Sequence, residues 1–321
     1  MKAVVYKKFG PPEVLELREI EKPQPADNEV LIRIYATTVE KEDPGMRRSR
    51  GLNGILKPKR PILGMELAGE IEAIGKIAKK FKPGDQVFGN AGMKLGTYAE
   101  YICLPETAAL ALKPSNLSFT EAAALTNGSL TALPFLRDQA HLQEGQSILI
   151  NGASGTVGSA AIQIAKYFGA AVTGVCRTRN IEAVKALGAD EVIDYTKEDF
   201  TRRGCCYDII FDVAGKTSFS RCRRILNPGG TYLATFPTPA ILFHMLLTTA
   251  FKGKQKVKFS ATGLRAAEKK ALDLRFLKQL AEDGRLKPRI DRIFSIEDIA
   301  EAHRYVESGK KNGTVVIKML K

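Results

Sequence analysis

The rhythm of apolar and polar positions changes near residue 118. Before it, short alternating runs are broken by glycine and proline. Residues 3–6, 30–34, 67–74 and 98–104 read as strands. Gly10-Pro11-Pro12, Pro23-Gln24-Pro25, Asp43-Pro44-Gly45 and Lys82-Pro83-Gly84-Asp85 read as turns. Many short strands with frequent turns predict an all-β unit, a barrel. After residue 118 the pattern becomes helical. Ser118-Phe119-Thr120-Glu121 is a capping box ahead of an Ala/Leu helix. From residue 147, apolar runs over 148–151, 171–176, 191–194, 208–212 and 230–234 alternate with helical runs over 156–168, 181–187 and 217–226. Strands alternating with helices mean βαβ units and a parallel sheet.

The remaining pattern predicts a helix over 268–283, with Leu272, Phe276 and Leu280 at spacing four. A second capping box, Ser295-Ile296-Glu297-Asp298, precedes a helix to Glu307, and residues 314–318 form a closing strand. The mainly apolar run over 240–251 has 12 residues, short of the roughly 20 needed to span a bilayer. It reads as a buried helix. The alternative is a surface that meets a lipid, an oligomer partner or an apolar substrate.

Composition adds bounds. At 321 residues, with 44 % hydrophobic and 26 % charged positions, the chain is ordinary globular material and long enough for about two domains. Charge at Lys2, Lys7 and Lys8 interrupts the stretch where a signal peptide needs its apolar core, so export is not expected. Cys103, Cys176, Cys205, Cys206 and Cys222 are odd in number and scattered, which reads as reduced thiols in a cytoplasmic compartment.

Against 35 Asp and Glu stand 49 Lys and Arg, a net charge of +14 that favours anionic partners. The cations gather at Arg47, Arg48 and Arg50 with Lys57, Lys59 and Arg60, and again at Lys252, Lys254, Lys256 and Lys258. Both groups read as solvated loops and faces, the second as the wet side of an edge strand. Charge alone is no ground for expecting specific nucleic-acid recognition.

Candidate chemistry concentrates at Gly152-Ala153-Ser154-Gly155-Thr156-Val157-Gly158, which follows the strand at 148–151 and opens a helix. Without Cβ atoms the chain turns sharply and lets a pyrophosphate approach the backbone, while the helix start offers N–H groups and a positive dipole end. The spacing is G-x-x-G-x-x-G, not the commoner G-x-G-x-x-G. The strand at 171–176 ends in Arg177-Thr178-Arg179, where an NAD site would carry a carboxylate for the ribose hydroxyls. A guanidinium and a hydroxyl there suit a 2′-phosphate, which predicts NADPH as cofactor.

Together with these, several landmarks resemble a known family. They are Gly64-Met65-Glu66-Leu67-Ala68-Gly69-Glu70, Lys82-Pro83-Gly84-Asp85-Gln86-Val87, Gly96-Thr97-Tyr98-Ala99-Glu100, Ser129-Leu130-Thr131-Ala132, Leu187-Gly188-Ala189-Asp190 and Gly313-Thr314-Val315-Val316. The chain resembles the zinc-free medium-chain dehydrogenases/reductases, the quinone oxidoreductase or zeta-crystallin-like group. The resemblance implies an α/β fold with a GroES-like β-barrel catalytic domain over residues 1–118, completed by 265–321. A doubly wound Rossmann NADP-binding domain would occupy 119–264. It also implies cofactor-binding roles. Ser154, Gly155, Thr156 and Val157 would hold the pyrophosphate, Arg177 and Thr178 the 2′-phosphate, and Tyr195 would flank the adenosine phosphate. Gly215 would lie on the adenine side, with Thr131 and Phe236 near the nicotinamide and its ribose.

Zinc-dependent relatives carry a cysteine on the strand that here reads Ala36-Thr37-Thr38-Val39-Glu40, and a histidine where Met65 stands. The thiolate and imidazole ligands that zinc prefers are missing, so no metal is expected. His303 falls on an apolar helix face with Ile296, Ile299 and Val306 and reads as a core histidine; Glu66 reads as a paired structural carboxylate. Many relatives have asparagine at position 40. Here Glu40, Lys41, Glu42 and Asp43 make a more charged rim, so no catalytic residue is assigned. The implied activity is hydride transfer from NADPH to a quinone or to the C=C bond of an enone, whose own conjugation spreads the incoming charge. Two alternatives stand: a zinc-free aldehyde reductase, and a non-catalytic NADPH-sensing protein associated with RNA or membrane. Dimers through Rossmann edge strands are common in the family, which makes a homodimer an expectation as well.

Overall fold

The computed structural model describes residues 1–51, 53–250 and 254–319; Phe251 and Lys252 lie outside the described residues. In chain order the first elements are β1 (Lys2–Val5), β2 (Glu16–Glu19), β3 (Glu29–Val39), α1 (Glu42–Arg48), β4 (Glu66–Ile74), β5 (Gln86–Asn90), β6 (Tyr101–Pro105), β7 (Ala109–Leu112) and α2 (Phe119–Pro134). The middle holds β8 (Ser147–Asn151), α3 (Thr156–Tyr167), β9 (Ala171–Cys176), α4 (Ile181–Ala186), β10 (Glu191–Asp194), β11 (Tyr207–Asp212), α5 (Phe219–Cys222), β12 (Leu226–Ala234), α6 (Pro239–Ala250) and β13 (Lys256–Phe259). The chain ends with α7 (Ala267–Glu282), β14 (Ile290–Ser295), α8 (Ile299–Glu307) and β15 (Thr314–Lys318). These elements divide into two compact units: Met1–Asn127 with Arg265–Lys321, and Gly128–Leu264.

The first unit is built on a sheet of order β14-β15-β3-β4-β5-β7, with β6 also pairing with β3. All its pairs are antiparallel except β14 with β15. β3 is long because its alternating residues serve three neighbours, and its inward side chains Val30, Ile32 and Ile34 join Leu67, Ile71, Val315 and Ile317 in one apolar core. The C-terminal strand and α8 thus complete a core begun 300 residues earlier. The capping box at Ser118 forms as expected, the Glu121 amide donating to Ser118 Oγ and the Ser118 amide to the Glu121 carboxylate. The second box does not. Ser295 donates its hydroxyl to Asp298 at 3.0 Å and makes no backbone cap.

The second unit is a six-stranded sheet of order β10-β9-β8-β11-β12-β13, parallel throughout. In order of appearance this is 3-2-1-4-5-6, the doubly wound arrangement, whose strand order reverses between β8 and β11. Lys256 is exposed on the edge strand β13, as its alternation predicted. All five cysteines are free, and Cys205 and Cys206 are exposed side by side.

Four further expectations fail. Asp43-Pro44-Gly45 is not a turn but the first half of α1, because proline is tolerated in a helix's first turn, where its missing N–H has no partner to lose. The run 217–226 yields only the single turn of α5 and a 3₁₀ turn at 223–225. Arg47 is not a solvated loop cation. It is fully buried, its Nε donating to Gly10 O (3.1 Å) and its guanidinium meeting His303 Nδ1 (3.1 Å) and Glu307 (2.7 Å). The apolar run is helical in α6 as far as Ala250 yet not buried: Leu242, Phe243 and Leu246 face outward while Ile241 anchors the helix in the core.

Candidate functional site

At the end of β8 the chain makes its glycine turn. Gly152 takes φ +91°, a conformation that side chains rarely adopt, and its amide donates to Val175 O at 3.2 Å, tying the turn to β9. A Cβ on Gly158 would lie 2.2 Å from the Gly152 carbonyl oxygen, so α3 can start this close to the turn only with glycine there. A Cβ on Gly155 would meet only the Gly152 oxygen, at 3.6 Å. Gly155 therefore fronts open space ahead of the helix start. That cradle, with the N–H groups of a helix's first turn unclaimed by helical carbonyls, fits a pyrophosphate.

The other predicted residues converge on the same sheet edge. Asn180 donates to Ser154 Oγ at 2.9 Å, tying the strand-9 loop to the glycine turn. The amides of Val213 and Ala214 donate to Asn151 O at 3.0 and 3.1 Å, drawing the end of β11 to the end of β8. Gly215, at φ +65°, has the Phe236 ring where its Cβ would be, 3.0 Å away, so these two predicted residues pack directly. Thr131 lies half-buried on α2, one turn past Gly128, whose Cβ would sit 2.3 Å from Thr156 O. Ser154, Gly155, Thr156 and Val157 are half-buried in the turn itself.

At the ends of β9 and β10, Arg177 Nε donates to the Tyr195 hydroxyl, and both side chains are exposed. Thr178 is placed beside them, but its hydroxyl donates to Asp194 (2.5 Å), and Asp194 also takes the Thr196 hydroxyl (2.7 Å). These hydrogen bonds, Thr178's first, hold the Asp194 carboxyl below its ordinary range.

Sequence reasoning missed Asp194 and a second support, Asp212. The Asp212 carboxylate takes Asn151 Nδ2 (2.8 Å), Gly215 N (3.0 Å) and the Tyr232 hydroxyl (2.9 Å). It thereby fixes the ends of three strands around the crevice. Burial raises its pKa, opposed by those hydrogen bonds. The signal was present: Asn151 and Asp212 are polar residues closing the apolar runs 148–150 and 209–211.

Of the run expected to form a charged rim, Lys41 and Glu42 are exposed, but Glu40 and Asp43 are buried, and Glu66 is buried as well. Glu66 is the structural carboxylate anticipated, taking the Thr38 hydroxyl (3.0 Å), Asn90 Nδ2 (3.0 Å) and Asn127 Nδ2 (3.1 Å). Glu40 pairs with Lys311, and burial still pushes its carboxyl up to about 7. Burial, then repulsion from Glu66, raises Asp43 well above the ordinary range too. Glu40 Oε1, Asp43 Oδ1 and the Tyr98 hydroxyl are buried without a hydrogen-bond partner among the described residues. His303 is the core histidine expected, held down to about 3 by burial and the Arg47 charge.

This donor set does not fit zinc. The thiolate and imidazole positions are occupied by Thr37, Thr38 and Met65, and the Glu66 oxygens are spent on amides and a hydroxyl. The Lys311 ammonium already sits on Glu40 as its counter-charge. Among the described residues no group of three or more His, Cys, Asp or Glu side chains is placed to hold a metal ion.

A glycine turn at the first strand of a doubly wound sheet, in a chain with a second, mainly antiparallel unit, defines a dinucleotide-dependent oxidoreductase of two units. Comparison with known proteins agrees. Residues 26–114 match the alcohol dehydrogenase GroES-like domain and residues 187–317 the zinc-binding dehydrogenase domain. The chain is 32 % identical to the NADPH-dependent alkenal/one oxidoreductase of Arabidopsis thaliana, over 99 % of this chain and 79 % of that protein. It is 32 % identical to the quinone oxidoreductase of Homo sapiens, over 96 % of this chain and 94 % of that one. The solved quinone oxidoreductase of Coxiella burnetii superposes with a TM-score of 0.86 at 29 % identity, covering 100 % of this chain and 99 % of that one. The chain belongs to the medium-chain dehydrogenase/reductase family, in its quinone oxidoreductase group, and is an oxidoreductase with a GroES-like unit and a Rossmann unit.

Proposed function

We propose that this protein is an NADPH-dependent reductase that transfers hydride to a quinone or to the C=C bond of an α,β-unsaturated carbonyl without a metal ion. The observation that carries the cofactor choice is Arg177, exposed at the end of β9 and bonded to Tyr195, where an NAD site would place a carboxylate. Asp194, at the end of β10, is engaged by two threonine hydroxyls. Arg177 would hold the 2′-phosphate, Tyr195 would orient the guanidinium, and Thr178 would act by fixing Asp194. Ser154, Gly155, Thr156 and Val157 would hold the pyrophosphate at the start of α3. Gly215 and Phe236 pack on each other, so both would border the same part of the dinucleotide, and Thr131 would border the nicotinamide end.

When bound, the dinucleotide supplies the hydride. The protein's part is to orient it and to hold water away; the conjugated acceptor spreads the incoming charge and takes its proton from solvent or a tyrosine. The carboxylates buried in the first unit supply no Lewis acid, which favours an acceptor that needs none. Relatives named for quinones and for alkenals or enones support this choice over a simple aldehyde. The free thiols suit a reducing compartment such as the cytoplasm, and no described helix is long and apolar enough to cross a membrane.

Two measurements test the proposal. Relative kcat/KM for NADPH and NADH should favour NADPH in the wild type and reverse in Arg177→Asp, by about 10- to 100-fold for a lost charge-assisted hydrogen bond. Equal preference in both proteins refutes the cofactor reading. NADPH oxidation should proceed with 1,2-naphthoquinone or an acyclic enone and not with a plain aldehyde. Tight NADPH binding without turnover on any acceptor would favour the sensing alternative.

A further inference from the structure

We propose that the first unit binds water between Glu40, Asp43, Tyr98 and His303, and that this water-bridged group stores one exchangeable proton, on Asp43. Among the described residues, Glu40 Oε1, Asp43 Oδ1, the Tyr98 hydroxyl and His303 Nε2 are the buried side-chain polar atoms without a hydrogen-bond partner. A folded protein normally pairs such atoms with protein or with ordered water. Here they share one neighbourhood. Glu40 and Asp43 sit in one turn, the Glu40 amide donating to Asp43 Oδ2 at 2.8 Å. The Tyr98 and His303 rings meet edge to face, with centroids 5.8 Å apart. Burial, and then the Asp43 carboxylate, raise the Tyr98 hydroxyl well above its ordinary range, which places Asp43 against Tyr98. No hydrogen bond of normal geometry joins the two.

The donors and acceptors select the occupant. Arg47 gives a guanidinium proton to His303 Nδ1 at 3.1 Å, so the neutral ring carries its own proton on Nε2. Nε2 and the Tyr98 hydroxyl are donors, and Glu40 Oε1 is an acceptor. A cation would face the Nε2 proton and the Lys311 ammonium, and an anion would face the Glu40 and Glu66 carboxylates. Water gives and takes at once, and a buried water needs two to four such partners.

Charge balance places the proton. Glu40, Asp43 and Glu66 are three buried carboxyl groups, and each of them acts on Tyr98. Two ammonium groups face them, Lys311 on Glu40 and Lys270 toward Glu66. The Arg47 charge is spent on Glu307, and the exposed Glu42 adds only repulsion. Three against two leaves one negative charge without a counter-ion, and a buried unpaired carboxylate takes up a proton instead. Asp43 is the one with no ion pair among the described residues, and its Oδ1 is open to the proton because Oδ2 takes the Glu40 amide. The Lys311 side chain, next to Glu40, is 14 % exposed, so the group reaches solvent there and its proton exchanges with the medium.

The test joins a crystal structure of the full chain with resolved solvent to infrared spectra at about pH 8, where Glu40 has lost its own proton. Density for at least one water is expected within hydrogen-bond reach of the Tyr98 hydroxyl and of a carboxyl oxygen of Asp43 or Glu40. The spectrum should hold a protonated-carboxyl band that moves in deuterium oxide. Asp43→Asn should remove that band. Lys311→Met should about double it, because three carboxyls against one ammonium call for a second proton. Tyr98→Phe deletes only the hydroxyl and should lower Tm by about 2–6 °C, since the water and its other partners lose a donor. A dry site with Asp43 bonded straight to Tyr98 overturns the proposal, as does density for a bound cation. So does a carboxyl band that survives Asp43→Asn, or a Tyr98→Phe variant as stable as the wild type, the result for a hydroxyl with no partner to lose.

Discussion

Replacing Glu40 with Gln isolates what it costs to hold a charge in the first unit. Glu40 is buried, one oxygen on Lys311 and the other without a partner. Burial outweighs the Lys311 attraction, and Glu66 adds repulsion, so the carboxyl rises from 4.5 to about 7. An acid with a higher pKa folded than unfolded binds its proton more tightly in the folded protein. Its stabilising contribution is full below pH 4.5 and is lost as the pH rises through about 7. That gap corresponds to about 3 kcal/mol. Gln copies the protonated carboxyl in shape and lacks the charge, so the variant escapes the loss.

Because the chain has no tryptophan, urea unfolding is best followed by far-UV circular dichroism. The quantity to plot is variant minus wild-type stability against pH. Asp43 and Glu66 titrate in the same direction as Glu40, while Glu282, held at about 2 by its hydrogen bonds to Lys278 and Ser115, pulls the other way. The Glu282 contribution cancels in the difference, whereas Asp43 and Glu66 each lose the repulsion of Glu40 and so add to the variant's advantage in the same direction. The expected curve starts near zero in acid and climbs to about 3 kcal/mol in favour of the variant by about pH 8. Lys311→Met should steepen the wild-type loss above neutrality and have no such effect in the Glu40→Gln background. Parallel curves for variant and wild type across the range would refute the reasoning, since they would mean that Glu40 is as well solvated folded as unfolded.

Gly158→Ala should abolish dinucleotide binding or sharply weaken it, because its Cβ would lie 2.2 Å from the Gly152 carbonyl and the turn must open; unaltered affinity by fluorescence titration contradicts the cradle. Asp212→Ala leaves Asn151, Gly215 N and Tyr232 without their shared acceptor and should cost about 3 kcal/mol of stability, read in urea, together with a raised KM for NADPH. Dialysis against a chelator should leave both Tm and turnover unchanged; a loss that added zinc restores would overturn the metal-free proposal.

Much of the second unit was legible because its signals are local. The strands over 171–176 and 191–194 have the bounds their apolar runs indicate, and the glycine turn announces itself within seven residues. What stayed hidden was set by distant partners. A charge run such as Glu40 to Arg50 reads as wet surface when taken alone. In the fold, Lys311 reaches Glu40 across 271 positions, and His303 and Glu307 reach Arg47 across 256 and 260. These partners arrive with the C-terminal segment, and only their arrival makes burial of those charges tolerable.

The same logic explains why α6 misled. An apolar run normally predicts burial, since in a single chain the only apolar surface available is the core. α6 spends one residue, Ile241, on the core and turns its stripe away, while the segment around it discards every carboxylate. The two departures coincide over one segment. Neither helps the dinucleotide crevice, whose polar contacts come from the ends of β8, β9, β10 and β11. Exposed apolar side chains recur at Ile55, Leu56 and Leu264, so exposure alone does not set α6 apart; the absence of any carboxylate over residues 213–267 does.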